Sequence, residues 1–171
     1  MDMAWEVAIN WRYTAKAGGI VSLVGDTYAF TGGAHGMSYT ETHIARAATG
    51  DELTFASMLA QQTLSPALII AVCEALKTEK LAQIGSATIM DEPIVCVGAN
   101  SNIPFDEMKI ALAQSTEPDR FGGVHVYFDP YAVGPYVEGG YELTIPQDVF
   151  NIDLRKDFQP LFAGKPAPAV P

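Results

Sequence analysis

Trp5-Glu6-Val7-Ala8-Ile9-Asn10-Trp11-Arg12-Tyr13 carries a large apolar side chain at every odd position and small, polar or charged ones between them. A repeat of two among good β-formers describes a strand, and the pattern predicts that its odd face is buried. Ala17-Gly18-Gly19 then turns the chain into a second strand, Ile20 to Phe30, with Val21, Leu23, Tyr28 and Phe30 as core candidates. Gly25-Asp26 inside that strand predicts a bulge or bend. Thr31-Gly32-Gly33-Ala34-His35-Gly36 is a tight loop, and Met37 to Ala47 reads as a third strand closed by a Thr49–Glu52 turn.

Helical signals follow. A short helix is predicted over Phe55 to Leu59. Ser65 as N-cap, Pro66 at the first helical position and Gly85 past the end frame a longer helix. Its Leu68, Ile69, Val72 and Leu76 share one face, which must pack on something. Pro93 to Val97 suggests a short strand, and Phe105 to Gln114 fits either period. Glu117 to Gly123 reads as a loop. Val124 to Phe128 and Tyr141 to Ile145 read as strands, and Pro146 to Phe150 as a helical turn. Strands, then helices, then strands again predict an α+β fold: an antiparallel sheet with two or three helices packed on one face. Residues 1–162 form one domain in this reading. The Pro-rich tail 163–171 is predicted to be extended or frayed, too rich in proline to pack.

The 171 residues carry a formal net charge of −10, and 49% are apolar. That composition is globular, and the negative charge disfavours nucleic-acid backbones as partners. No apolar run approaches the roughly 20 residues of a membrane-spanning helix. Cys73 and Cys96 are the only cysteines. They read as two buried thiols, with a disulfide as the alternative in an oxidising compartment.

Candidate chemistry is thin. His35, His43 and His125 have no metal-ligand spacing, and the glycine loop is followed by a strand pattern rather than the helix that phosphate cradling requires. Asp51/Glu52, Asp91/Glu92 and Asp106/Glu107 are sequence neighbours, which a strand would point to opposite faces. No catalytic residue, metal ligand or cofactor is assigned. The segment Phe128-Asp129-Pro130-Tyr131 through Gly134-Pro135-Tyr136 to Tyr141-Glu142-Leu143-Thr144-Ile145-Pro146 is different. With Tyr127 it offers a stacking platform of tyrosines, or an aromatic core under a proline-fixed loop.

Tyr28-Ala29-Phe30-Thr31-Gly32-Gly33-Ala34-His35-Gly36, then Thr49-Gly50-Asp51-Glu52-Leu53, then Phe128-Asp129-Pro130-Tyr131, Gly134-Pro135-Tyr136 and Thr144-Ile145-Pro146 occur in that order. Together they resemble the DUF3298 family, often joined to a DUF4163 (PdaC-like) segment that carries the Thr-Gly-Gly-Ala-His loop. The resemblance runs from about Trp5 to Phe162. It implies an α+β fold and an extracytoplasmic, periplasmic or envelope-anchored setting. It also implies a binding or sensing role linked to the cell wall, as in the extracytoplasmic part of the anti-sigma factor RsiV, which senses lysozyme. The family also occurs beside the catalytic domain of a peptidoglycan deacetylase, whose aspartate pair and His-x-x-x-His stretch have no counterpart here.

Members usually have a leader or membrane anchor, so the start reads as truncated, with an anchor expected in a missing N-terminal segment. Ser86 to Asn102 matches no part of the pattern. The expectation is a non-enzymatic envelope domain binding a peptidoglycan fragment or a lysozyme-like protein. Its ligand-binding rim would comprise Tyr28, Gly32, Gly33, His35, Tyr131 and Tyr136. The alternatives are a small hydrolase or deacetylase working through His35, and a purely structural accessory domain.

Overall fold

The computed structural model describes residues 5–84 and 108–168. The first half is a meander of β1 (Glu6–Ala17), β2 (Ile20–Phe30), β3 (Met37–Arg46) and the short β4 (Glu52–Leu53), antiparallel in the order β1-β2-β3-β4. Helices α1 (Phe55–Met58) and α2 (Pro66–Ile84) follow. A second antiparallel sheet then forms from β5 (Lys109–Gln114), β6 (Phe121–Phe128) and β7 (Tyr141–Pro146). The α+β expectation holds, but with two sheets of four and three strands in place of one.

Local sequence explains most boundaries. Gly18 and Gly19 both take positive φ, 53° and 74°, which the β1–β2 hairpin turn requires and other residues resist. Ser65 Oγ accepts from Leu68 N at 3.3 Å, and Thr54 Oγ1 accepts from Ser57 N at 3.1 Å, so each hydroxyl caps the first turn of a helix. Lys109 to Gln114 resolves as strand, and the chain is already paired from Phe121, inside the stretch expected to be loop. Gly85 and the Pro93–Val97 strand lie outside the described residues.

The layers are set by which face each strand buries. Ile20, Ser22 and Val24 point inward from β2, while Val21 and Leu23 lie half-buried on the opposite, outer face. Ser22 Oγ accepts from Leu112 N at 2.9 Å and from Thr14 Oγ1 at 2.9 Å, which pins β5 onto the first sheet. Val24, Ala111 and Tyr127 pack together between the sheets. On its other side β6 sends Val124, Val126 and Phe128 into the main core with Leu143 and Ile145 of β7 and Leu68, Val72 and Leu76 of α2. Every residue of β6 is buried as a result.

Several expectations fail here. The odd face of β1 is not buried: Trp5 is 77% exposed and Tyr13 74%, with Val7, Ile9 and Trp11 also exposed. The second sheet covers the opposite face of the first, and β1 is buried only at Ala15 and Ala17, past its irregularity. Gly25-Asp26 is no bulge, because the register runs evenly through Trp11↔Gly25 and Asn10↔Asp26; the irregularity lies at Tyr13/Ala15. A Cβ on Gly25 would fall 2.7 Å from the Trp11 ring, so this glycine seats the indole.

The tail also packs. Ala163 N donates to Phe121 O at 3.0 Å, Thr116 N to Lys165 O at 2.8 Å, and Ala167 N to Gln114 O at 2.7 Å. Pro166 falls between Lys165, whose carbonyl accepts, and Ala167, whose N–H donates, so the extended segment pairs despite it. Finally, Cys73 is fully buried on α2, as a small apolar residue would be, but it is disulfide-bonded rather than a free thiol. Cys96 lies outside the described residues.

Candidate functional site

The glycine loop and the tyrosine-proline segment, about a hundred residues apart, meet at one end of the molecule. Gly32 and Gly33 take φ of 100° and 111° and reverse the chain between β2 and β3. That reversal brings His35 to the surface. Tyr136 OH donates to Gly36 O at 2.7 Å, and the His35 and Tyr136 rings stack at 4.0 Å between centroids. His35 Nδ1 lies 3.0 Å from the same carbonyl, which can only accept, so Nδ1 is the donor. The Tyr28 ring lies directly over Gly36, where any side chain would collide with it.

Tyr131 completes the group. Its ring centroid is 5.4 Å from that of Tyr136, it is 56% exposed, and its φ is +75°. A tyrosine in the left-handed region costs energy that the surrounding structure must hold in place. Asp129 supplies part of that hold: its Oδ1 accepts from Thr40 N at 2.9 Å, and its other oxygen binds Lys109 Nζ. The Asp-Pro-Tyr sequence thereby clamps this rim to β3 and β5.

Beside the rim opens a cleft of about 610 Å³, with Tyr136 on its wall and Asp26, Ser38, Thr40, Tyr127 and Glu142 among its lining. The volume falls within the range of small-ligand sites. Its lining mixes an aromatic face with hydroxyls and carboxylates, which suits a neutral or cationic polyol. Arg12 bridges Asp26 (3.8 Å) and Glu142 (3.5 Å) behind it. Burial pushes the Tyr127 phenol well up, and Glu142 adds to that, so Tyr127 stays neutral. Burial lowers His125, outweighing the opposing pull of Glu142, with Arg12 adding to the lowering; its Nδ1 lies 3.0 Å from Thr144 Oγ1.

Under the rim lies a polar cluster that the sequence did not disclose. Glu138 is 4% exposed, and its Oε2 binds Lys80 Nζ at 2.8 Å and accepts from Tyr141 OH at 2.7 Å. Lys80 also donates to Val133 O at 2.6 Å, and Gln83 donates to Glu138 O. Desolvation alone would raise the Glu138 carboxyl. The hydrogen bonds from Lys80 and Tyr141 and the ammonium charge outweigh it and hold the group below its ordinary range. Tyr141 is correspondingly pushed up, by burial first and by Glu138 second. One signal was available: Lys80 continues the Leu68–Val72–Leu76 row of α2 by one more turn.

The six residues expected at the rim therefore converge, with Gly32 and Gly33 shaping the loop and Tyr28, His35, Tyr131 and Tyr136 supplying rings. Of the other platform candidates, Tyr127, Phe128 and Tyr141 are buried. His43 lies away from the rim, 3.0 Å from Glu52 and against Trp11. Among the described residues no group of three His, Cys, Asp or Glu side chains is arranged to hold a metal ion. No described helix is long and apolar enough to cross a membrane.

Residues 1–38 match the family model described as Deacetylase PdaC. No curated protein matches the chain. Among solved structures, a DUF3298 family protein from Pseudomonas aeruginosa PAO1 superposes with a TM-score of 0.64 at 22% identity, over 94% of this chain and 66% of that one. A DUF3298 family member from Bacteroides fragilis NCTC 9343 gives a TM-score of 0.52 at 18% identity, over 90% of this chain and 55% of its own. The chain thus spans about two-thirds of one neighbour's length and about half of the other's. The resemblance drawn from the motifs stands: the chain has the fold of the DUF3298 proteins, and its first strands are similar to the PdaC family.

Proposed function

We propose that this chain is a non-enzymatic cell-envelope domain that binds a peptidoglycan-type glycan fragment in the cleft beside Tyr136. The observation that carries the reading is Tyr131, an exposed tyrosine held at φ +75° next to the stacked Tyr136 and His35 rings. Strain kept at an exposed aromatic serves no packing purpose, and flat tyrosine faces are what the apolar faces of sugar rings stack on. Ser38, Thr40 and Asp26 supply hydrogen-bonding groups along the cleft. The role of His35 is to brace Tyr136, since its Nδ1 proton is committed to Gly36 O. The disulfide at Cys73 supports an extracytoplasmic location, because such bonds persist in oxidising compartments. The fold shared with DUF3298 proteins supports the wall-related class of ligand.

The test is binding of soluble peptidoglycan fragments by the full chain, its Tyr131→Ala and its Tyr136→Ala variants, with lysozyme run in parallel. Fragment binding lost in both variants, with the far-UV spectrum unchanged, is the expected result. Unaltered fragment binding would remove the rim from the reading. Lysozyme binding without fragment binding would make the partner a protein, one to which the acidic surface is electrostatically suited.

A further inference from the structure

The exposed odd face of β1 belongs to an edge strand, and the two facts bear on each other. Among the described residues β1 is the outermost strand of the four-stranded sheet, twelve residues long, and regular from Glu6 to Tyr13. Proteins normally protect such an edge with lysine, proline, a bulge or a short strand. Glu6 to Tyr13 has no lysine and no proline, and the bulge comes only after Tyr13. One face of this open edge is a continuous row of Trp5, Val7, Ile9, Trp11 and Tyr13, all exposed. From Glu6 to Asn10 the other face is exposed too, so the ribbon stands clear of the second sheet.

We infer that β1 pairs antiparallel with β1 of a second copy of this chain, about a two-fold axis through Ile9, giving a continuous eight-stranded sheet. The occupant follows from self-complementarity in one register. Centring on Ile9 sets Trp5 opposite Tyr13 of the other copy, Val7 opposite Trp11, and Ile9 opposite its own equivalent. On the other face it sets Glu6 opposite Arg12 and Ala8 opposite Asn10. Every outer pair is then apolar on apolar and the one charged pair is of opposite sign, which are the cross-strand pairs that stabilise a sheet. A shift of two residues toward the C-terminus puts Glu6 opposite Thr14 and Ala8 opposite Arg12. A shift of two the other way puts Glu6 opposite Asn10. Both lose the charge pair, and a shift of one turns the apolar row against the polar one. An interface in which the same patch meets itself is what two-fold symmetry demands. The inference does not rest on the ligand assigned to the tyrosine rim; the two share only Arg12, which also holds Asp26 and Glu142 behind the cleft.

The experiment is sedimentation equilibrium of the full chain with three sets of variants. The parent is expected at twice its 18.3 kDa mass. Ile9→Lys sets two ammonium groups against each other at the axis and is expected to weaken the dimer by about tenfold or more. Glu6→Arg and Arg12→Glu are each expected to be monomeric alone and to dimerise when mixed, because each copy then offers the opposite charge at both contacts. Ile9→Cys is expected to form an intermolecular disulfide under oxidation, since directly opposed strand residues lie within disulfide reach. Ala8→Cys should not cross-link to itself but should cross-link to Asn10→Cys. A parent that stays monomeric, a dimer indifferent to Ile9→Lys, or self-cross-linking at Ala8→Cys would each overturn the pairing. The cysteine and mixing variants keep the test decisive if Ile9→Lys perturbs the strand itself.

Discussion

Two aromatic stretches, Trp5–Tyr13 and Tyr127–Tyr141, meet solvent in opposite ways. The first alternates as cleanly as a half-buried strand should, yet its apolar row faces solvent. The second is broken by prolines and glycines, a pattern that fits a tyrosine platform or an aromatic core, and Tyr127, Phe128, Glu138 and Tyr141 are buried. Alternation reports that a strand has two chemically different faces. It does not report which face a neighbouring layer will cover. Coverage depends on where the second sheet lands, and that is decided by contacts such as Ser22 with Leu112, ninety residues away.

Four substitutions would break or sharpen this contrast. Phe128→Ala empties a position that is 1% exposed in the main core, so unfolding free energy from urea titration should fall by about 3–5 kcal/mol. A loss below about 1 kcal/mol would mean that the second stretch is not core at all. Glu138→Gln leaves the buried Lys80 ammonium without its counter-charge and should cost about 3 kcal/mol in the same titration.

That effect should also depend on pH in a definite direction. The folded pKa of Glu138 lies below its unfolded value, so its contribution is complete above about pH 4.3 and is lost as pH falls through the lower folded value. His125, also lowered on folding, withdraws stability earlier, as pH falls below about 6.5. The Glu138→Gln variant should therefore keep the loss that starts near neutrality and lack the one at acid pH. If its acid limb matched the parent's, the buried pair would not be the source.

Tyr131→Gly should be stabilising by up to about 1 kcal/mol, since glycine takes φ of +75° without strain. The same variant should lose glycan binding, a separation of stability from function that a packing residue would not give. Smallest of all, Val7→Thr on the open face of β1 should change the stability of the monomer by no more than about 0.5 kcal/mol at high dilution. A larger loss would show that the first stretch is covered after all.

Much of the fold was legible from short-range features. The paired glycines at 18 and 19, the Ser65-Pro66 start and the period-two runs located β1, β2, β3, α2 and β7 to within a few residues. Long-range choices were not legible. Nothing local distinguishes Gly25 as a seat for Trp11 from Gly25 as a bulge, because the ring that needs the space comes from the neighbouring strand. The tail's prolines suggested a frayed end, since composition alone cannot show that its N–H groups alternate in step with β5 and β6. At the rim, aromatic and glycine residues announced themselves by type. Lys80 and Glu138 did not, because a lone charge reads as solvated until its partner is found 58 residues along the chain.

The docked tail has a consequence for the order of assembly. The β1–β2–β3 meander joins neighbours in sequence and can form as soon as it is made, whereas the tail's bonds to the second sheet form only when residues 163–167 arrive. During synthesis β5, β6 and β7 can pair with one another, but Gln114 O, Thr116 N and Phe121 O would lack their tail partners until the last of the described segments left the ribosome. Pairings of long sequence separation are slow to close. The step that completes the described fold is therefore the docking of a proline-containing segment, and a ribosome pausing before Ala163 would hold back a chain with both sheets paired and the tail undocked.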